Sequence, residues 1–409
     1  MKILQLAPRM PYPLTDGGAI GIYNITKALA ELGHHVTLVT YPLDTPEQTA
    51  EAIRDLSRFA TVRLVSKPLP PRWKVLLRTI FGGAYPIERR MMPEMFELLK
   101  NVVEREQFDI VHVDHAHMGK YGLWLKKQFK LPIILREHNF ESIIYERFAA
   151  TEKNPLKRFV ASVHGKRLRI QETQFLKEFD GVAAISEEDL KLMVEVAPDS
   201  LYRVIPAGVA TEYFKPTDVS VQEDSILWVG SFDWDPNFDA MRHFLESIFP
   251  LILERRPNTI LTVVGSGERR VLPLAARFGN SVQILGRVPD VRDYLALAAV
   301  LVVPLRIGGG MRVKLLEFFA AGKAVVSSSI GAEGNEGNDG EHLLICDTDA
   351  SFAEAVLELL EDRSARQSLG SAAHELAISR YGSERIAKAF TALYEEVLVR
   401  EGCYPTDRV

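Results

Sequence analysis

Cysteine is nearly absent from this chain: Cys346 and Cys403 are the two in 409 residues, with no metal-ligand spacing between them. That excludes a disulfide framework, and a reducing cytoplasm is the expected setting. No apolar run approaches the roughly 20 residues that span a bilayer. The opening MKILQLAPRMPYP holds too few apolar residues to read as a signal peptide. Neither sign of charge dominates: the formal net charge is −5, with 28 Lys and Arg against 25 Asp and Glu in residues 1–200 and 21 against 29 in residues 201–409. A nucleic-acid binder is usually more basic, so no nucleic-acid partner is expected. The fingerprint GxGxxG is missing, and no acidic residue ends a short second strand, which argues against a nicotinamide enzyme. What remains is a composition ordinary for a folded chain, 47% hydrophobic and 25% charged, long enough for two or three domains with sizeable cores.

Strand-like apolar segments alternate with helical patterns. In the first half the strands are expected at Ile3–Leu6, Val36–Thr40, Val62–Val65, Ile110–Val113, Ile133–Leu135 and Val182–Ile185. In the second half they are expected at Ile226–Val229, Ile260–Val264, Val282–Leu285, Leu301–Val303, Ala324–Ser328 and Leu343–Ile345. The helical spacing of Ile20–Leu32 closes on Gly33, as a C-cap should. Such alternation means parallel, doubly wound sheets. The fold class is therefore α/β, with two Rossmann-like domains facing across a cleft. Proline and glycine punctuate IPAGVATEYFKP near Pro206–Pro216, so the domains are expected at 1–205 and 206–383, with a helix in 384–409 crossing back onto the first. Ligands of such sheets bind beyond the carboxyl ends of the strands.

The richest segment is VLVVPLRIGGGMRVKLLEFFAAGKAVVSSS, residues 300–329. Val300–Leu305 reads as a buried strand. Gly308, Gly309, Gly310 and Met311 then bring bare amides to a helix N-terminus, where the partial positive charge favours a phosphate. Arg312 and Lys314 add two cations in the first turn, unfavourable against the helix dipole unless an anion sits there. Glu317 shares a helical stripe with Val313 and Ala320, where a carboxylate accepts hydrogen bonds from sugar hydroxyls. The alternative is a tight turn followed by an ordinary Lys314–Glu317 surface pair.

Other loops after strands are also unusual. APRMPYPLTDGGAIGIYN places Gly17 and Gly18 before a helix, and VDHAHMGKYG carries Asp114, His115 and His117. REHNFESIIYER carries Arg136, Glu137, His138, Asn139 and Glu141. Imidazoles, acids and an amide on adjacent loops serve a metal, acid–base work or recognition of a polar substrate, but the HxxxH spacing that favours a metal is missing. GSFDWDPNFDAMRHF supplies Asp233, Asp235 and Asn237 around Trp234, and VGSGERR supplies Gly265 and Gly267, able to accept a base or ribose.

In order and spacing these segments resemble the retaining glycosyltransferases of family 4, which have the two-domain GT-B fold. The resemblance runs from the N-terminal GG loop and LAELGHHVTLVT through FDIVHVDHAH, DGVAAISEED, VIPAGVATEYF, WVGSFDWDPN, LTVVGSGE and ILGRVPDVRDYL to KLLEFFAAGKAVV. It implies transfer of a sugar from a nucleotide-diphosphate donor to an acceptor hydroxyl, with no essential metal or other cofactor. Gly17 and Gly18 then lie against the donor phosphates and Glu317 binds ribose. The first glutamate of the family's E-x7-E motif falls on Gly309, and the HxH-like segment falls on His112 and Asp114, so His115 or His117 stands in for the second histidine. The family's diphosphate-binding Arg and Lys correspond to Ser231 and Asn237, and Arg312 with Lys314 are the expected replacements. A nucleotide-sugar epimerase, a phosphorylase and a non-catalytic nucleotide-sugar binder are the rival readings.

The expected acceptor is a sugar or a lipid-linked sugar, held on the side of His138, Asn139 and Glu141. Between Arg63 and Arg90 there are seven Lys and Arg and one Glu, interleaved with Trp73, Val75, Leu76, Leu77, Ile80 and Phe81. That mixture suits an anionic membrane surface, and equally a helix packed on the first domain. Lys153–Arg169 extends the basic stretch. A cytoplasmic protein, peripheral at the inner face of the cell membrane, is the expectation.

Overall fold

The computed structural model describes residues 1–402 apart from Thr15, Asp16, Pro68, Phe81, Glu152, Lys153, Asp218, Gly309 and Gly310. Of the residues named above, Phe81, Lys153, Gly309, Gly310 and Cys403 thus lie outside the described residues. The chain divides into two compact units, one of Met1–Ala207 with Ser383–Val409 and one of Gly208–Gly382.

The first unit contains β1 (Lys2–Leu6), β2 (His35–Thr40), β3 (Thr61–Leu64), β4 (Ile110–Asp114), β5 (Ile133–Glu137), β6 (Gly181–Ala184) and β7 (Tyr202–Val204). They form one sheet in the order β3-β2-β1-β4-β5-β6-β7, every pair parallel. The second unit contains β8 (Gln222–Val229), β9 (Ile260–Val264), β10 (Val282–Gly286), β11 (Ala298–Val303), β12 (Val325–Ser327) and β13 (Leu344–Ile345). Their order, β10-β9-β8-β11-β12-β13, repeats the first pattern, again wholly parallel. Each sheet changes winding direction once, between β1 and β4 and between β8 and β11, the places where ligands of doubly wound sheets bind.

All twelve expected strands are present, with ends shifted by a few residues. β11 stops at Val303 rather than running to Leu305, because Pro304 has no N–H to give the ladder. The strand missed from sequence is β7, whose three residues YRV form an edge with Arg203 exposed and so show no apolar run.

Seven helices frame the cores and the strand-end loops: α1 (Gly17–Glu31), α2 (Arg72–Ile80), α3 (Glu141–Thr151), α4 (Pro155–Glu178), α5 (Asp235–His243), α6 (Val313–Ala320) and α7 (Ser383–Arg400). α1 ends before Gly33, whose φ of +85° only glycine takes at little cost. In the first sheet successive side chains serve opposite faces. Leu4, Val111, Val113 and Leu135 pack with Met118, Tyr121, Phe140 and Phe175 on one side. Ile3, Ile110 and Ile134 pack with Ile25, Leu29, Phe390, Leu393 and Val397 on the other. In the second unit Ile226, Trp228, Leu261, Val263 and Val300 pack with Phe244, Phe249 and Phe352.

α7 therefore completes one whole face of the first unit's core. Its Tyr394 hydroxyl also meets His112 Nδ1 at 2.5 Å, with both side chains buried. Tyr394→Phe leaves that imidazole nitrogen unsatisfied and should cost about 1–3 kcal/mol; Phe390→Ala opens a cavity and should cost about 3–5 kcal/mol. Urea unfolding checks both, and midpoints equal to the native one would show that α7 adds nothing to this core.

Candidate active site

In the second unit the loop after β11 carries Arg306, Ile307 and Gly308, and α6 begins at Val313. Arg312 is thus the residue before the helix, not a member of its first turn as expected from sequence. Lys314 and Glu317 occupy one turn of α6, and Glu317 is only 5% exposed. Burial pushes the Glu317 carboxyl up to about 7 against the opposing pull of Lys314. Burial likewise lowers the Lys314 ammonium, with Glu317 restoring part of the loss. Burial also lowers the Arg312 guanidinium, offset by the nearby carboxylate of Glu333. Two cations and an acid are therefore held where water solvates them poorly. The ordinary surface pair considered from sequence does not describe them.

Arg312 lies with its guanidinium carbon 5.6 Å from the ring centre of Trp234, in the loop between β8 and α5. Arg312 of the β11–α6 junction thus reaches the loop that carries Ser231 and Asn237. Those two residues hold the loop's own shape. The Ser231 hydroxyl lies 2.8 Å from the Ser266 hydroxyl and donates to Asp233 Oδ2 at 3.2 Å, while the Asn237 amide donates to the Ser231 carbonyl at 2.8 Å. Sequence reasoning overlooked two further arginines here. Arg270 donates to the Phe232 carbonyl at 2.5 Å and to Asp235 at 2.8 Å, and it lies 4.2 Å over the Phe238 ring. Arg306 grips Asp239 through Nε and Nη2 at 2.9–3.1 Å. Their signal was legible: both follow the carboxyl end of a strand, in VGSGERR and in PLRIGGG.

Gly265, in the loop expected to accept a base or ribose, is required to be glycine by its own backbone. Its φ is +148°, and a Cβ would sit 1.7 Å from the Gly230 carbonyl oxygen. The loops after β8 and β9 press backbone against backbone there. Gly17 and Gly18 are the first residues of α1 rather than preceding it, so their amides belong to the helix N-terminus.

In the first unit β4 and β5 lie side by side with Asp114 opposite Arg136. Asp114 Oδ1 accepts from Arg136 Nη1 at 3.1 Å, and Oδ2 accepts from Gln5 at 2.5 Å. His112 and His138 approach the same carboxylate at 3.4 and 3.5 Å. Burial opposes ionisation of Asp114, but these neighbours outweigh it and hold the carboxyl well below the usual range. The chain then turns through His115, at φ 77° and ψ 140°. That conformation is strained for any residue with a Cβ, and the His115 amide secures it by donating to the Arg136 carbonyl at 2.8 Å.

The strained turn aims His115 between two other imidazoles. Its ring stacks on His117 at 4.0 Å and on His138 at 5.2 Å. Glu141, at the start of α3, reaches His115 Nε2 at 3.2 Å and His117 Nε2 at 2.8 Å. The structure therefore brings His115, His117, His138 and Glu141 together, with the half-buried Asn139 beside His138 in the chain. Burial and the neighbouring cations Arg90 and Arg9 hold His117 well below 6.5; burial and His117 do the same for His115; burial and Arg136 lower His138 to about 4. All three are neutral at pH 7. Behind them burial, with Glu172 and Glu141, raises the Glu137 carboxyl, and burial raises Glu172 to about 8. Glu172 escaped sequence reasoning because KRLRIQETQFLKE surrounds it with charge typical of an exposed helix.

Ligand atoms of His115, His117 and Glu141 lie within 4.8 Å of one another, a grouping able to hold a metal ion among the described residues. The two rings, however, are only 17° from parallel, so their in-plane nitrogen lone pairs do not converge on one point. Both Nε2 atoms already face Glu141. As it stands, the trio is a hydrogen-bonding cluster, and a cation would have to splay the stack.

The chain matches two family models, Glycosyltransferase Family 4 over residues 15–213 and Glycosyl transferases group 1 over residues 223–362. It belongs to glycosyltransferase family 4. This family 4 glycosyltransferase has the GT-B fold. A sucrose-phosphate synthase from Thermosynechococcus elongatus superimposes with TM-score 0.74 at 20% identity, covering 98% of this chain and 100% of that one. Anabaena HepE in complex with UDP and glucose superimposes with TM-score 0.69 at 15% identity, covering 96% and 98%. Among curated relatives, a 44.6 kDa Klebsiella pneumoniae protein from the cps region is 21% identical over 97% of this chain and 99% of its own. The phosphatidyl-myo-inositol mannosyltransferase of Mycobacterium tuberculosis is 30% identical over 47% of this chain and 53% of its own.

The buried groups around α3 give this glycosyltransferase a two-sided pH response. His115, His117 and His138 titrate below their unfolded value of 6.5, so the unfolded chain gains protons first and stability falls as pH drops from 6.5 toward 4. Glu137 and Glu172 titrate above 4.5, so the folded state keeps protons that the unfolded chain has released, and stability falls as pH rises from 4.5 through 8. Between pH 6.5 and 8 the Glu172 carboxyl alone accounts for roughly 2 kcal/mol. Glu172→Gln should therefore lessen the fall in melting temperature over that range by about 4–8 °C. Parallel melting curves for native and variant protein would contradict the assignment.

Proposed function

We propose that this enzyme is a retaining glycosyltransferase of hexosyltransferase type. It moves a sugar from a nucleotide-diphosphate sugar to an acceptor hydroxyl during synthesis of a cell-surface polysaccharide or glycolipid. One observation carries the reading: Arg312, Lys314 and Glu317 are gathered at a loop–helix junction where burial perturbs all three. Half-buried cations beside a helix N-terminus favour an anion there. A nucleoside diphosphate supplies that anion, and its ribose hydroxyls suit the Glu317 carboxylate.

The chemistry follows from charge. As the bond between the anomeric carbon and the diphosphate oxygen breaks, negative charge builds on the leaving group. Arg312, Lys314 and the amides of the α6 N-terminus neutralise it in a poorly solvated setting, where such interactions are strongest. On the first unit the α1 amides, with Gly17 and Gly18, are a further set of donors suited to a phosphate, and on the second Ser231 and Asn237 shape the loop after β8. The acceptor hydroxyl attacks from the face the diphosphate leaves; its oxygen forms the new bond and its proton passes to the departing phosphate oxygen. His115 or His117 positions the acceptor or sugar hydroxyl, with His138, Asn139 and Glu141 on the same side. No metal is required by this scheme.

Three comparisons support the reading. HepE was crystallised with UDP and glucose, the Klebsiella relative is encoded in a cps region, and the mycobacterial relative is named for transfer to phosphatidyl-myo-inositol. A peripheral site at the inner face of the membrane fits α2, where Trp73 and Leu77 are 61% and 52% exposed beside exposed Lys74 and Arg78. Among the described residues no helix is long and apolar enough to cross a membrane.

Replacing both Arg312 and Lys314 by alanine should weaken binding of the nucleotide-sugar donor at least a hundredfold in calorimetry while the protein stays folded. Native affinity in the double variant would contradict the assignment of these cations to the donor diphosphate.

A further inference from the structure

α3 joins two different environments. Its first residue, Glu141, faces the imidazoles of His115 and His117. Four and seven residues on, along the same helical stripe, stand Tyr145 and Phe148. With Ile144 they form one wall of a groove of about 500 Å³, and Leu156, Val160 and His164 of α4 form the other. The walls are hydrocarbon: Ile144 and Phe148 are 44% and 49% exposed, and Leu156 and Val160 are 71% and 45% exposed. A contiguous apolar patch on an otherwise well-packed unit marks an interaction site, and its volume falls in the range of ligand grooves.

The register of the two helices orders the groove. Gly165 of α4 comes so close to Tyr145 that a Cβ would lie 3.1 Å from the Tyr145 Cβ. The residues following Gly165, opposite the Glu141 end, are Lys166, Arg167 and Arg169. Arg169 stands 4.7 Å over the ring of Phe140, just before α3, and Arg167 donates to the Thr79 carbonyl of α2. At the Glu141 end the surface thus offers neutral imidazoles, a carboxylate and the cations of the α4 turn after Gly165, and beyond Tyr145 it offers hydrocarbon. A sugar alone has no use for the last part, and a bilayer surface has none for the first.

We propose that the groove between α3 and α4 seats the hydrocarbon chain of a lipid phosphate whose sugar is the acceptor. The claim rests on the transferase reading and names its acceptor class. The imidazole cluster holds the sugar hydroxyl, Lys166, Arg167 and Arg169 neutralise the phosphate, and the chain runs past Phe148 and Val160. Each methylene that enters the groove should tighten binding by about fourfold.

Calorimetry of the full chain with geranyl phosphate, farnesyl phosphate and inorganic phosphate tests this. Farnesyl phosphate should bind at least tenfold tighter than geranyl phosphate, and inorganic phosphate should not compete with it at equal concentration. Phe148→Glu and Val160→Glu, both at half-exposed positions, should each weaken farnesyl phosphate at least tenfold, with nucleotide-sugar binding and circular dichroism unchanged. Equal affinity in both variants, or no binding by the native chain, would overturn the proposal. So would two other outcomes: loss of binding to phosphatidylglycerol vesicles alone, which makes the patch a bilayer contact, and a native dimer that the variants dissociate, which makes it a self-association surface. Donor turnover separates the two claims. A chain that binds farnesyl phosphate but neither binds nor hydrolyses any nucleotide sugar refutes the transferase reading alone. A chain that turns over donor but ignores farnesyl phosphate refutes the lipid assignment alone.

Discussion

Both sheets are wholly parallel, and that constraint arranges the chemistry. Parallel strands all end at one edge, so the loops after them gather there whatever their separation in sequence. In the first unit this brings the segment after β4 against the segment after β5, placing Asp114 on Arg136 and His115 beside His138. In the second it brings Arg312, after β11, over Trp234, after β8. The second meeting falls where the strand order reverses, between β8 and β11, and the first falls one strand beyond its reversal, between β4 and β5; a doubly wound sheet leaves room for a ligand at the reversal. Both faces of each sheet must then be covered, and in the first unit α7 supplies what the preceding helices leave bare.

Burial of charge follows from the same packing. Asp114 tolerates complete burial because Arg136, Gln5 and two histidines surround it. Its role is internal: it fixes β4, β5 and His138 relative to one another. Lys314 and Glu317 are different, because their mutual attraction does not restore what desolvation removes, and Glu317 remains near 7. An arrangement left unbalanced in this way is what an anionic ligand completes. The stacked imidazoles lie between these cases. They are kept neutral by burial and nearby cations, and neutral imidazoles both donate and accept hydrogen bonds, as recognition of a hydroxyl requires.

Much of the fold was legible in the sequence because buried parallel strands leave continuous apolar runs, as at Ile110–Val113 and Ile260–Val264. What escaped was β7, an edge strand with one exposed arginine at its centre. The site was legible in part. Loops rich in histidine, glycine and arginine announced themselves, and convergence of His115, His117 and His138 followed from strand adjacency. The strained φ of His115, the buried Glu172 and the anchoring of Arg270 and Arg306 did not, because each depends on a tertiary neighbour that no local pattern encodes. Gly265 has a tertiary cause of the same kind. A glycine that admits another backbone looks, in sequence, like one that admits a ligand. The apolar wall on α3 was hidden as well, since Ile144 and Phe148 look like core positions until α4 leaves them uncovered.

A nucleoside diphosphate seated on the cations at the start of α6 is the central requirement of the proposed chemistry. Crystals grown with UDP, and separately with GDP, address this most directly. In at least one of them the diphosphate should lie within hydrogen-bonding distance of Arg312 and Lys314, with the ribose hydroxyls on Glu317. A nucleotide bound elsewhere with that junction empty, or Arg312 and Lys314 closed onto the protein's own carboxylates in both, would contradict it.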